Sequence, residues 1–284
     1  MPLTEARLMT AKKGSLVVVG TGIESMGQMT DAARTAVRRA QRVFYLTTDP
    51  LTAETLKGLN RRAVSLHGLY EVGRHRLQTY ASMTETVLAE VRRGLRVCFA
   101  LYGHPGVFAM PAHAAVTIAR DEGYRAEMQP GISADACLIA DLGVDPATAG
   151  WQSYEATDFL LRGRKPDPTA GLVLWQVGVV GRTDYATGAV DRDKVAILAE
   201  RLLETYPRKH LVTLYEAASL PGFPPSIEKV PLGDLQNGPL SLITTMYVPP
   251  SKQASVDKEM RARLGITRSA KVNCLRPTKA AGAE

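Results

Sequence analysis

The chain has 284 residues, 45% of them hydrophobic and 22% charged, with a formal charge of +7. That is enough apolar material for a full core in one large or two smaller domains, and it points to a globular, soluble protein. No uninterrupted apolar run reaches the roughly 18 residues needed to span a bilayer, and the start Met-Pro-Leu-Thr-Glu-Ala-Arg has no apolar signal core, so a membrane protein and a secreted one are both set aside.

The elements predicted in chain order alternate. Ser15–Val19 reads as a buried strand running into Gly20-Thr-Gly22, residues 31–41 as a helix, and Arg42–Leu46 as the next strand. Residues 52–57 form a short helix stopped by Gly58, residues 63–66 a third strand, and residues 77–92 a long helix with Met83, Val87 and Val91 on one stripe. A strand over residues 95–101 follows, then a helix over 112–120, a strand over 124–128, the turn Pro130-Gly-Ile-Ser-Ala134 and a helix through Leu142. Strand and helix in strict alternation imply a doubly wound parallel sheet for residues 14–142. Gly and Pro punctuation between Gly143 and Gly150 marks a boundary. Strands over 172–176, 210–215, 226–230 and 240–248, with a helix over 194–204, give residues 143–250 a second α/β domain with a mixed sheet. The expected fold class is therefore α/β, in two domains with a ligand cleft between them.

From Ser251 onward eight Lys or Arg face three acidic residues, so a basic tail, residues 251–284 with a short helix over 255–264, carries a surplus of five positive charges on a nearly balanced body. A solvated extension accounts for that charge better than a nucleic-acid surface does. Cys98, Cys137 and Cys274 are odd in number and have no paired spacing, which fits reduced thiols in a cytoplasm rather than disulfides or zinc. Cys98 and Cys137 sit in apolar runs as core residues. Five scattered His, including His67 and His75 expected at the surface, offer no metal-ligand spacing, and no metal is expected.

Three segments concentrate chemistry. Leu101-Tyr-Gly-His-Pro-Gly-Val-Phe-Ala-Met110 leaves the carboxyl end of a predicted parallel strand, where open α/β sheets bind ligands; Gly103 and Gly106 let backbone approach a ligand, Pro105 fixes the turn, and Tyr102 and His104 supply polar groups. A turn without a ligand is the plainer alternative. Gly20-Thr-Gly-Ile-Glu-Ser25 also follows a strand, but it lacks a third Gly at the packing position and an acidic residue at the end of the next strand, which argues against a nicotinamide or flavin enzyme. In Tyr70-Glu-Val-Gly-Arg-His-Arg-Leu-Gln-Thr-Tyr80, Arg76 and Tyr80 are four apart and share a helix face. A cation beside a Tyr favours the phenolate and makes a general base. On the residues alone, a surface Arg beside a half-buried Tyr is the simpler reading of this pair.

The order Gly20-Thr-Gly22, Tyr102-Gly-His-Pro-Gly-Val-Phe108, Glu122-Gly-Tyr124, Pro130-Gly-Ile-Ser-Ala134, Tyr154-Glu-Ala-Thr157 with Phe159-Leu-Leu-Arg162, Trp175-Gln-Val-Gly178 and Thr244-Thr245 resembles the tetrapyrrole-methylase superfamily of S-adenosylmethionine-dependent methyltransferases, and within it the borosin peptide backbone N-methyltransferases. The resemblance spans about residues 14 to 250. It implies a tetrapyrrole-methylase-like fold with the methyl donor in the interdomain cleft. By motif position, Tyr102, His104, Val107, Phe108, Ser133, Ala134, Gln176, Ala217, Thr244 and Thr245 would line the donor pocket. The family's catalytic set would fall on Tyr70, Arg76, Tyr80 and Tyr102, and this reverses the plainer reading of Arg76 and Tyr80. The departures are Leu77 and Gln78, which bear on how a peptide is positioned.

The resemblance also implies a reaction: transfer of methyl from S-adenosylmethionine to backbone amides of a ribosomally made precursor peptide, leaving S-adenosylhomocysteine and using no metal. Residues 268–284 lack the Val/Ile/Gly-rich core of a fused substrate, so the expectation is a split enzyme acting on a separate precursor, as a homodimer or as a heterotetramer with two precursor chains. A C-methyltransferase acting on a precorrin- or uroporphyrinogen-type tetrapyrrole shares the donor loops but leaves Tyr70, Arg76 and Tyr80 unused. A non-catalytic peptide-binding module needs no donor loops.

Overall fold

The computed structural model describes residues 13–71, 73–185 and 188–266. The first half contains β1 (Ser15–Gly20), α1 (Asp31–Arg39), β2 (Arg42–Leu46), α2 (Pro50–Leu59), β3 (Ala63–Ser65), α3 (Arg76–Arg92), β4 (Arg96–Leu101), α4 (Met110–Asp121), β5 (Arg125–Met128) and α5 (Ala134–Leu142). Its strands form one sheet in the order β3-β2-β4-β1-β5, every pairing parallel. The apolar runs are continuous because both faces are covered. Leu16, Val18, Val97 and Phe99 pack under α3 and α4, while their neighbours Val19, Cys98 and Ala100 pack under α1 and α2.

The second half adds α6 (Pro146–Ala149), β6 (Trp151–Glu155), α7 (Ala156–Leu161), β7 (Gly171–Trp175), α8 (Arg192–Leu203), β8 (Leu211–Glu216), β9 (Ser226–Pro231), β10 (Thr245–Val248) and α9 (Lys258–Arg263). Its sheet runs β6-β7-β10-β8-β9, with β6 parallel to β7 and β10 antiparallel to both of its neighbours, which makes it mixed as the sequence implied. One face, through Leu172 and Leu174, packs on α7 and α8; the other, through Val173, Trp175 and Tyr215, is covered by Leu138 of α5. So α5 follows the first sheet in the chain but buries its apolar side on the second. Tyr215 also donates its phenol hydrogen to Asp141 Oδ2 at 2.6 Å. Tyr215→Phe keeps the ring packing and leaves the exposed Asp141 carboxylate to water, so a loss of about 1 kcal/mol in urea denaturation is expected.

Several boundaries differ from the sequence reading. The helix expected to stop at Gly58 runs through it, because Asp49 caps its start by accepting from the Thr52 amide at 2.7 Å and Asn60 ends it while binding the Val37 and Ala40 carbonyls. The expected strand over 240–248 is paired only from Thr245; before it Ser241–Thr244 is a turn whose ends bond each other. β6 and α7 were missed, since every residue of β6 is at least partly exposed and shows no alternation. The tail helix is shorter than expected, starting only where Asp257 caps Met260. The rest of the expected basic tail, residues 267–284 with Cys274, lies outside the described residues. Cys98 is fully buried, whereas Cys137 is partly exposed, its sulfur 3.7 Å from Gln28 Oε1. Among the described residues no helix is long and apolar enough to cross a membrane.

Candidate functional site

The carboxyl ends of β1, β4 and β5 bring three loops together. An ideal Cβ on Gly20 would lie 2.1 Å from the Gly103 carbonyl oxygen, and one on Gly131 would lie 3.3 Å from that same atom. Gly22 and Gly103 exchange backbone hydrogen bonds at 2.9 and 3.4 Å, so the loops interlock only because they lack side chains there. Opposite them lies one edge of the second sheet, formed by the ends of β7 and β8 and the start of β10. Contacts at this cleft join the halves, among them Phe108, 5.8 Å from the Trp175 ring, and Ser25, which donates to the Ser219 carbonyl through both its amide and its hydroxyl, at 2.9 and 3.0 Å.

The backbone along this cleft is strained. Met26, Phe108 and Gln176 are the non-glycine residues of positive φ among those described, at 68°, 51° and 60°, and each sits on a loop leaving one of the two sheets at this edge. Such conformations cost of order 1–3 kcal/mol each and cluster where ligands are held.

The structure gives the expected donor-side residues distinct jobs. Ser133 caps α5, accepting from the Ala136 amide at 3.2 Å, and His104 Nδ1 accepts from the Gly106 amide at 2.9 Å, which holds the turn closed. Thr244 is fully buried; its hydroxyl donates to Glu216 Oε1 at 2.6 Å and its carbonyl accepts from the Val177 amide beside Gln176. Thr245 is buried, Ala134 and Ala217 are partly buried between α5 and the second sheet, and Val107 and Phe108 are exposed at the mouth. Tyr102 is half-buried, and burial first, then Cys137 and Asp49, pushes its phenol up to about 12.

Tyr102 connects to the second group of residues through the end of β2. Its amide donates to the Leu46 carbonyl at 2.9 Å, and in the next residue along, His67 Nε2 lies 2.6 Å from the Thr47 carbonyl oxygen. The His67 ring is 5.9 Å from that of Tyr70. Burial chiefly, with Tyr80 and Tyr185 beside it, pushes the Tyr70 phenol up to about 12, and a hydrogen bond to Tyr80 helps to keep it protonated; Arg76 pulls the other way. The spacing argument set the Arg76 guanidinium beside Tyr80. In the structure it donates to the Arg182 carbonyl, because a loop of the second domain covers the start of α3. Helical spacing does not reveal Arg182, Asp184 and Tyr185, although Gly181-Arg-Thr-Asp-Tyr185 is a polar run in the connection between β7 and α8; Glu216, at the end of β8, is likewise unmarked in the sequence.

A family model described as tetrapyrrole (corrin/porphyrin) methylases matches residues 15–236. The chain belongs to the tetrapyrrole methylase family. Similar proteins include the "Methyltransferase/ribosomally synthesized cyclic peptide dendrothelin A precursor" of Dendrothele bispora, 43% identical over 88% of this chain and 61% of that protein. The omphalotin A precursor of Omphalotus olearius, described in the same terms, is 42% identical over 89% of this chain and 62% of its own length. This tetrapyrrole methylase chain thus spans about three fifths of the length of those relatives. A "type I borosin cyclic peptide precursor" of Coprinopsis marcescibilis is 39% identical over 91% of this chain and 68% of its own. Among solved structures, uroporphyrin-III-C-methyltransferase from Thermus thermophilus superposes with a TM-score of 0.58 at 21% identity, covering 84% of this chain and 93% of that one. The methyltransferase CobJ gives 0.56 at 18% identity, covering 86% and 97%. These two establish the two-sheet α/β tetrapyrrole-methylase fold.

Proposed function

We propose that the chain transfers methyl groups from S-adenosylmethionine to backbone amide nitrogens of a precursor peptide supplied as a separate chain. The observation that carries this reading is the Tyr70, Tyr80 and Arg76 group at the start of α3, joined to the Tyr102 loop through Leu46–Thr47. A methylase acting on a carbon of a tetrapyrrole has no use for it. The similarity to peptide-precursor methyltransferases supports the same acceptor.

The cleft suits the donor. A cradle of loops locked together at Gly20, Gly103 and Gly131, the apolar face of Val107 and Phe108, and the strained backbone at Gln176 offer a fixed main chain on one side and apolar contact on the other. Tyr102, His104, Val107, Phe108, Ser133, Ala134, Gln176, Ala217, Thr244 and Thr245 would hold it, with His104, Ser133 and Thr244 acting by fixing the loops. When bound, S-adenosylmethionine supplies an electrophilic methyl on a sulfonium.

An amide nitrogen is a poor nucleophile, since its lone pair is delocalised into the carbonyl. In this reading Tyr80 as phenolate removes the N–H proton, and Arg76 stabilises the phenolate or the imidate-like oxygen. Tyr70, which keeps its proton, and Tyr102 orient the peptide. A cleft that excludes water would strengthen each of these interactions. The assembly proposed is a homodimer carrying two precursor chains.

The acceptor class is tested by incubating the chain with methyl-labelled S-adenosylmethionine and, in parallel, the peptide encoded beside its gene or a uroporphyrinogen. Label on the peptide and none on the tetrapyrrole or on the chain itself is expected. Label on the tetrapyrrole would replace this reading with C-methylation, and failure to bind the donor in calorimetry would leave a peptide-binding module.

A further inference from the structure

The segment Gly181–Tyr185 belongs to the second domain but completes the acceptor side of the first. Its base is fixed at home. The Gly181 amide donates to Thr157 Oγ1 at 3.0 Å, its carbonyl accepts from Lys194 Nζ at 3.3 Å, and the Arg182 amide donates to the Val179 carbonyl at 3.1 Å. From there it reaches the first residues of α3. His75 and Asp184 form an antiparallel bridge, and the Arg76 amide, one of the helix-start donors that has no partner within the helix, donates to the Thr183 carbonyl at 3.1 Å.

Three side chains of the segment, Arg182, Asp184 and Tyr185, lie at this contact. The Arg182 guanidinium grips both oxygens of Asp184, at 3.2 and 3.1 Å, so the turn that presents the Arg182 carbonyl to the Arg76 guanidinium is tied by a fork-to-fork ion pair. That ion pair holds the Asp184 carboxyl below its ordinary range, and Arg76 adds to the effect, which sets the carboxylate within the field of both guanidinium groups. Tyr185 stacks on Tyr70, with ring centroids 4.7 Å apart and planes 30° from parallel. Arg is among the side chains with the most rotamer freedom to lose, and a Tyr on a loop has a free ring plane, so each needs an outside contact to stay in one arrangement.

We propose that Asp184 and Tyr185 are positioning residues of the acceptor site: Asp184, through Arg182, fixes the guanidinium of Arg76, and Tyr185 fixes the ring of Tyr70. The inference rests on the peptide-methylation reading and assigns to the second domain a part in holding the acceptor as well as the donor. Both contacts cross from one domain to the other.

The test compares Tyr185→Ala, Tyr185→Phe and Asp184→Asn with the parent chain by turnover on the peptide, donor affinity in calorimetry and thermal midpoint. Tyr185→Phe preserves the stack and is expected to keep kcat within about twofold, whereas Tyr185→Ala and Asp184→Asn lower kcat by roughly tenfold or more while donor affinity and midpoint hold. A role in folding alone would move the midpoint and leave kcat per folded molecule unchanged, which overturns the proposal, as does an Ala variant as active as the parent. If Tyr185→Ala does not fold, Asp184→Asn decides. A parent chain that methylates no peptide overturns the reading beneath the proposal and the proposal with it; an active parent with unaffected variants overturns the proposal alone.

Discussion

Tyr80→Phe is expected to abolish peptide methylation while S-adenosylmethionine binds as before. The substitution removes one oxygen from a partly buried ring on α3, whose buried stripe of Met83, Val87, Leu88 and Val91 is untouched, so the helix and the core beneath it persist. What is lost is the atom assigned the amide proton. The neighbouring Tyr70 has its phenol pushed up by burial first and then by Tyr80 and Tyr185 beside it, which makes it a poor proton acceptor. General bases contribute typically 10² to 10⁴-fold, and an unassisted amide nitrogen has no other route to its lone pair, so turnover should fall by at least about 10³-fold. The donor loops lie at other strand ends, and calorimetry should return an unchanged dissociation constant. Turnover within tenfold of the parent would remove Tyr80 from the role of base and pass it to another group, Tyr102 first.

Gly20→Ala should be a severely damaging small substitution on the first domain's side of the cleft. An added methyl would sit 2.1 Å from the Gly103 carbonyl oxygen and 2.9 Å from Pro105 Cδ. Both are backbone or ring atoms that cannot swing away. The loops after β1 and β4 must therefore separate, at a cost of about 1–3 kcal/mol from overpacking, and the cradle opens. Thermal denaturation should show the stability loss, and donor binding should weaken at least tenfold beyond it. Gly58→Ala is the matched control, since that glycine lies inside α2 with nothing within 4 Å of the new methyl. It should stabilise by about 0.4–1 kcal/mol through a stiffer unfolded chain, with donor binding unaffected. An equal response at the two positions would contradict the view that the Gly20 loop is shaped for close backbone approach.

Much of the scaffold was legible in the sequence because its signals are local. β2 falls on its expected residues, α5 ends at Leu142 as expected, and β1 and β4 lie within a residue of their expected bounds, since continuous apolar runs such as Val97–Leu101 belong to strands covered on both faces. β6 was illegible for the opposite reason: an edge strand half in contact with solvent carries no alternation. Which sheet α5 covers could not be read either, as its apolar residues say that it packs but not on what. At the site, the glycine loops and the Tyr70–Tyr80 segment stood out by composition and order. The partner of Arg76 did not, because the contact with Arg182 joins residues 106 positions apart and helical spacing speaks only of neighbours on the same helix.

The claim at the centre of this account is that the methyl goes to amide nitrogen. Tandem mass spectrometry of the peptide after incubation with the chain and S-adenosylmethionine reads this directly, since fragment ions place each added methyl on a residue and its derivatised hydrolysate separates N-methyl amino acids from side-chain products. The expected result is N-methyl amino acids at successive positions of the peptide. Methyl groups confined to side chains, or an unmodified peptide alongside intact donor binding, would contradict it.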